Sequence, residues 1–354
     1  MAATPADPQY YDSRGQLREH LAAQGRRMAM QARSAEELST WSAAARAKFA
    51  GLLGLARMTP TPANARMTGS ADCGDYSREH WLMETEPRVT MPFFLLRPKG
   101  LTCRAPAVIC PHGHGGGGKA AVAGVADNPQ IAEAISKYNY AYGVEFARAG
   151  LLAICPDARG FGRRQEPEVR ARPLDGSCHL LQVMGAGLGM PVIGMWTFDL
   201  MRLLDHLLQR GDVLAERIGC AGFSGGGWQA LSLAAVDTRI ACAVVSGYFY
   251  GAAESLLEMP ASCPCNVVPG LWEYFDMGDF GAMIAPRPLA IESGDQDKLN
   301  GSSGRENVYS QVRIASAAYA MLGAADRIRH DVFHGGHRWN GTSAVGWMKK
   351  WLTA

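Results

Sequence analysis

Short apolar runs alternating with helical patterns constrain this chain more than any other feature. Segments 107–110, 151–155, 218–221, 241–246, 289–293 and 328–333 read as strands, and helical patterns occur at 129–149, 194–210, 227–236, 305–322 and 342–352. Most of these strands lack the polar alternation of a half-exposed sheet, so both of their faces need cover. The alternation therefore predicts an α/β fold, a mostly parallel central sheet with helices on both faces. A length of 354 residues, 47% of them hydrophobic, supplies the side chains for a core of that size. In such sheets the functional groups collect at the carboxyl ends of the strands.

Residues 13–57 carry two helical patterns divided near Arg33, and Ser34 with Glu37 forms a capping box before the second. Thr59-Pro60-Thr61-Pro62 breaks the pattern and reads as a linker. The expected division is a helical extension over 1–62 and the α/β domain over 63–354. Three placements are open for the extension: packing on the parent domain, covering the site, or pairing two copies as a homodimer. From Tyr76 to Pro98 the pattern is that of strands, with a turn at Glu86-Pro87. Segments 160–193 and 248–280 are long connections rich in Gly, Pro, Met and aromatic residues, a length expected of segments that cover a site.

A formal net charge of +2, with scattered arginines, offers no electrostatic basis for a nucleic-acid partner. No run approaches the roughly 18 apolar residues of a membrane span, and the first residues lack the pattern of a secretion signal. Cys110, Cys155, Cys220 and Cys242 fall in expected core strands, where cysteine acts as a small hydrophobe. These features lead to the expectation of a cytoplasmic protein without a membrane partner.

Gly222-Phe223-Ser224-Gly225-Gly226 lies between an expected strand and an expected helix, where G-x-S-x-G forms a nucleophile elbow. A serine hydroxyl becomes nucleophilic only when a base takes its proton. His337, in the glycine-rich Phe333-His334-Gly335-Gly336-His337 loop after the last strand, is the expected base, and His334 is its rival. The acid that orients the base is expected from Gly294-Asp295-Gln296-Asp297, with Asp297 preferred and Asp295 assigned to supporting the turn. Two backbone N–H groups must face the developing oxyanion. Gly225 follows the nucleophile, and His114 lies in the Pro111-His112-Gly113-His114-Gly115 loop after an earlier strand. Candidate substrate contacts are His112, Arg159 and Trp228.

Other readings of the same residues are weaker. Gly113 to Lys119 matches a phosphate-binding loop, but Ala120 stands where the magnesium-ligating hydroxyl belongs. His112 and His114 alone cannot make a catalytic zinc site, which needs three protein ligands, and no further cluster lies close in sequence. Cys263-Pro264-Cys265 lacks redox C-x-x-C spacing and reads as structural. Neither a metal nor another cofactor is therefore expected. Asp157 and Arg159 are expected to pin their loop, and Asp199, Arg202 and Asp205 to form a helix-surface ion network.

The elbow, the His112-Gly113-His114 loop, Pro156-Asp157-Ala158-Arg159-Gly160-Phe161-Gly162, Cys263-Pro264-Cys265-Asn266, Ala285-Pro286-Arg287-Pro288, Gly294-x-x-Asp297 and Gly335-Gly336-His337 together resemble bacterial α/β-hydrolases of the acetyl xylan esterase and dienelactone hydrolase-like group. The resemblance covers about 100–350. Dienelactone hydrolases proper use a cysteine nucleophile where this chain has Ser224, and Lys298-Leu299-Asn300-Gly301 replaces a proline-containing segment. The resemblance implies a serine hydrolase of a small-acyl or carbohydrate-linked carboxylic ester, working through Ser224, His337 and Asp297. An amide, peptide or C–C bond hydrolase with the same groups is the alternative, and a non-catalytic binding module is a third reading.

Overall fold

A computed structural model describes residues 11, 13–257 and 263–353. Nine strands form one sheet: β1 (Arg66–Asp72), β2 (Tyr76–Glu86), β3 (Val89–Pro98), β4 (Ala105–Ile109), β5 (Leu152–Pro156), β6 (Val213–Phe223), β7 (Cys242–Ser246), β8 (Leu289–Gly294) and β9 (Ile328–Phe333). Their order is β1-β2-β3-β5-β4-β6-β7-β8-β9. The first three strands run antiparallel to their neighbours, and the pairings from β5 through β9 are parallel. The sheet is thus mostly parallel, as expected.

The pleat sorts side chains onto two cores. Ala107, Ile109, Ile218, Cys220, Val245 and Ile291 join one, while Val108, Cys110, Ala221, Val244 and Ala290 join the other. The first face is covered by α2 (Ala35–Leu52), α7 (Val192–Leu208), α8 (Gly225–Val236), α9 (Met277–Ile284) and α10 (Arg305–Met321). The second is covered by α3 (Lys119–Val122), α4 (Pro129–Tyr138), α5 (Tyr142–Arg148) and α11 (Ala344–Thr353). Helix α1 (Arg14–Gln24) lies near the N-terminus, and α6 (Cys178–Gly187) belongs to the long connection before α7.

Of the three placements open for the extension, α2 takes the first. Phe49 is fully buried, 4.5 Å from the Phe280 ring and 6.2 Å from Trp228. Arg46 donates to Ala235 and Met283 carbonyls near the ends of α8 and α9, where unpaired carbonyls favour a cation. The capping box has a twist: Ser34 Oγ accepts from the Glu37 N–H, but the Glu37 carboxylate reaches past Ser34 to the Arg33 N–H.

Two elements differ from expectation. β1 has no apolar periodicity and is exposed along its whole length, so this edge strand left no apolar pattern to read. The single helical pattern at 129–149 is two helices, because Asn139 turns left-handed at φ 50° and ends α4. That break presents Tyr140 and Tyr142 to the site. Among the described residues, no single helix is long and apolar enough to cross a membrane.

Candidate active site

Ser224 occupies the turn between β6 and α8 at φ 56°, ψ −126°, a conformation that costs a non-glycine residue about 1–3 kcal/mol. Its surroundings hold it there. The Ser224 N–H donates to Ser246 O at the end of β7, and its carbonyl accepts from Trp228 N–H inside α8. A Cβ on Gly222 would lie 2.1 Å from Gly226 O, and one on Gly226 the same distance from Pro111 O. Both flanking glycines are therefore required by packing.

The His337 ring lies 4.5 Å from the ring of Phe223, the residue before Ser224, and its Cε1 is 3.2 Å from where a Cβ on Gly247 would stand. The loop after β9 thus carries His337 back across the ends of β8 and β7 toward β6. Asp297 Oδ2 accepts from His337 Nδ1 at 2.7 Å, and the carboxylate is almost wholly buried. Because a carboxylate only accepts, Nδ1 carries the ring proton and Nε2 is left as the basic nitrogen. Asp295 instead bonds His334 and the Gly335 N–H at the surface. Of the two aspartates, Asp297 is the one hydrogen-bonded to His337.

The 111–114 loop packs against the elbow so closely that a Cβ on Gly113 would lie 2.8 Å from Gly225 N. Gly113 N–H donates to Tyr140 Oη, which itself donates to His114 O; Tyr142 Oη donates to Pro111 O, and Gln229 Nε2 to His112 O. The Gly113 N–H is thus engaged by Tyr140, and the His114 ring Nδ1 lies 3.3 Å from where a Cβ on Gly225 would stand. Gly225 opens α8, so its N–H has no acceptor within the helix. Tyr140, Tyr142 and Gln229 were not among the expected site residues, since nothing in their local sequence signals a role.

A cavity of about 320 Å³ opens over the elbow, lined by Ser224, Gly225, His114, Tyr250, Leu256 and Leu299 among others. Its far wall comes from the 248–280 connection, the covering role expected of that segment. A larger cavity of about 470 Å³, bordered by Arg88, Arg163 and Met184, contains none of the elbow residues. The smaller one is the candidate site because it holds Ser224.

The three candidate substrate contacts are not placed for that task. Trp228 is fully buried between Phe49, Tyr248 and Phe280. His112 is buried too: its Nε2 accepts from Ala158 N–H, so Nδ1 donates to Gly113 O. Burial also lowers its pKa and keeps this tautomer neutral. Arg159 forms a two-point pair with Asp199 and a further bond to Glu86. Burial opposes its charge, yet these carboxylates hold its pKa above the ordinary arginine value. It borders the larger cavity instead of the elbow. Lys119 is buried against Asp157, which also accepts its backbone N–H, so its ammonium serves an ion pair. Arg202 pairs with Asp205 on α7, whereas Asp199 turns inward to Arg159 and Arg164.

Beside the elbow the structure assembles a group that sequence proximity concealed. His114 Nε2 lies 3.3 Å from Cys265 Sγ and 3.5 Å from Cys178 Sγ, and Cys178 Sγ lies 3.6 Å from Cys263 Sγ. All four ligand-capable atoms lie within 4.8 Å of one another. His114 lacks further ligands among its neighbours in sequence but has three thiols beside it in space. Cys178 and Cys265 stand 64 and 151 positions away.

A strained serine between strand and helix, on a largely parallel sheet with His337 and Asp297 at later strand ends, defines an α/β-hydrolase fold. The chain belongs to the Abhydrolase family, whose model matches residues 1–329. It is 28% identical over 291 residues to YtaP of Bacillus subtilis (strain 168), a protein named as a hydrolase, spanning 77% of this chain and 88% of the relative. Among solved structures it resembles one described as an acetyl xylan esterase from Bacteroides fragilis, with a TM-score of 0.77, 20% identity, and coverage of 94% of this chain and 84% of the other. A glucuronoyl esterase from Solibacter usitatus superimposes with a TM-score of 0.64 at 15% identity, covering 91% of this chain and 96% of the other. At such identities these likenesses establish the shared fold.

Proposed function

We propose that this protein hydrolyses carboxylic esters with small acyl groups, carbohydrate-linked esters among them, through an acyl-enzyme on Ser224. The observation that carries this reading is Ser224 held at positive φ on the wall of the cavity, with the His337–Asp297 hydrogen bond behind it. Ser224 Oγ attacks the ester carbonyl while His337 Nε2 takes its proton. The new tetrahedral oxyanion is held by the N–H groups of Gly225 and His114. Asp297 keeps Nδ1 protonated and stabilises the imidazolium. His337 then protonates the leaving alkoxide, and the alcohol departs. Water, deprotonated by the same nitrogen, attacks the acyl-enzyme and releases the acid and free Ser224.

The esterase names borne by similar structures and the size of the cavity support a short acyl group. A fluorophosphonate should label Ser224 stoichiometrically, and p-nitrophenyl acetate should turn over faster than the corresponding anilide. Absence of label from folded protein would overturn the serine mechanism, and faster anilide cleavage would replace the ester by an amide.

A further inference from the structure

We propose that His114, Cys178, Cys263 and Cys265 bind one zinc ion, a structural site that ties the oxyanion loop to the two long connections, of which 248–280 walls the cavity. The donor set is three thiols and one imidazole nitrogen, the soft N/S combination of closed, four-coordinate zinc sites. Tetrahedral zinc with ordinary bond lengths would separate two sulfurs by ~3.8 Å and a sulfur from a nitrogen by ~3.6 Å. The observed separations are 3.6 Å for Cys178–Cys263 and 3.3 and 3.5 Å from His114 to Cys265 and Cys178. The side chains therefore already stand close to the edges of a coordination tetrahedron. Cys178 and Cys265 are buried and the other two partly so, which shields the site from exchange with solvent.

The four ligands come from three separate pieces of chain: the loop after β4, the first residue of α6, and the Cys263-Pro264-Cys265 turn. Proline between the two cysteines stiffens that turn. Binding would displace the thiol protons to solvent, leaving thiolates on the metal. With four protein ligands no coordination position is open to substrate, so the ion acts on structure instead of as a Lewis acid.

The imidazole links this site to the elbow. Its Nε2 faces the sulfurs, while Nδ1 lies 3.3 Å from where a Cβ on Gly225 would stand. Ligation through Nε2 leaves the proton on Nδ1, so the side chain can only donate toward Gly225 and the cavity. The ion thus fixes the tautomer of His114 and the position of its backbone N–H. This effect on turnover rests on the ester-hydrolase reading, but metal binding does not.

The test uses the full chain, purified without a polyhistidine tag or chelator. Elemental analysis should find about one zinc per chain, falling to background in a Cys178→Ser/Cys265→Ser variant. Because that variant can lose its fold, the unsubstituted chain is also stripped and loaded with cobalt(II), which should give thiolate charge-transfer and tetrahedral ligand-field absorption. His114→Ala should shift that spectrum. Lack of zinc together with lack of a cobalt spectrum overturns the site, as does a Cys178–Cys263 disulfide in protein alkylated at lysis. Fluorophosphonate labelling of Ser224 separates the two proposals. Label without metal refutes the zinc site alone, and metal without label refutes the serine mechanism alone.

Discussion

The floor and the roof of the cavity are built on opposite principles. The floor consists of strand ends: Ser224 after β6, Asp297 after β8 and His337 after β9, each on a turn or loop that follows a strand of the sheet. The roof is drawn from the 248–280 connection and the loop after β4, whose residues meet only through folding, as His114 meets Cys265. On the floor a residue's position follows from the sheet, and local turn chemistry does the rest. On the roof no element repeats, and position depends on cross-links: the tyrosine hydroxyls that hold the 111–114 loop and the converging thiols. Precision can thus be inherited from regular structure or assembled from side chains, and only the first kind leaves a short motif.

This contrast can be broken or sharpened by mutation. The largest effect belongs to the floor. Ser224→Ala should lower kcat for p-nitrophenyl acetate by about 10⁵-fold or more without loss of fold, measured by steady-state kinetics and circular dichroism. Ser224→Gly should be equally inactive and about 1 kcal/mol more stable, since glycine takes positive φ freely; a lower melting temperature would refute the strain argument. Next, Asp297→Asn should cost roughly 10⁴-fold, because an amide can favour the wrong tautomer of His337, whereas Asp295→Asn should change kcat by less than about 10-fold. Comparable losses in both would dissolve the assignment of the acid.

Between floor and roof, Gly113→Ala pushes a methyl into Gly225 N and should cost about 10²–10³-fold in kcat, the usual effect of losing an oxyanion donor. An unchanged kcat would show that this loop does not serve the oxyanion. The smallest effect concerns the sheet beneath. Glu292 accepts from the Gly341 N–H, and burial pushes its pKa from 4.5 up to about 7. The folded state therefore keeps a proton that the unfolded chain loses first. This contribution is complete below the unfolded value and is lost as pH rises through about 7. Glu292→Gln, neutral throughout, should remove up to about 2–3 kcal/mol of the stability lost between roughly pH 5 and pH 8. Urea unfolding at the two ends of that range checks it, and a parallel pH dependence in the variant would exclude Glu292 as its source.

Legibility followed the same division. The parallel strands announced themselves by apolar runs, whereas β1 escaped because an exposed edge strand has no face to bury. Turn chemistry preferred Asp297 to Asp295 as the partner of His337 but left the choice open, and the hydrogen bond between His337 and Asp297 depends on how the two loops pack. Trp228, by contrast, was a candidate substrate contact, but α8 turns it into the core beside Phe49. Arg159, expected to pin its loop and also named as a candidate substrate contact, is held in ion pairs with Asp199 and Glu86.

By itself, then, the sequence determined the α/β sheet, the elbow at Ser224 and the strand ends that carry Asp297 and His337, because periodicity and turn chemistry act over a few residues. Tertiary structure alone decided which aspartate meets His337, which hydroxyls clamp the 111–114 loop, and that three distant thiols converge on His114. Those outcomes depend on where separate segments pack in three dimensions, and no local pattern encodes that meeting.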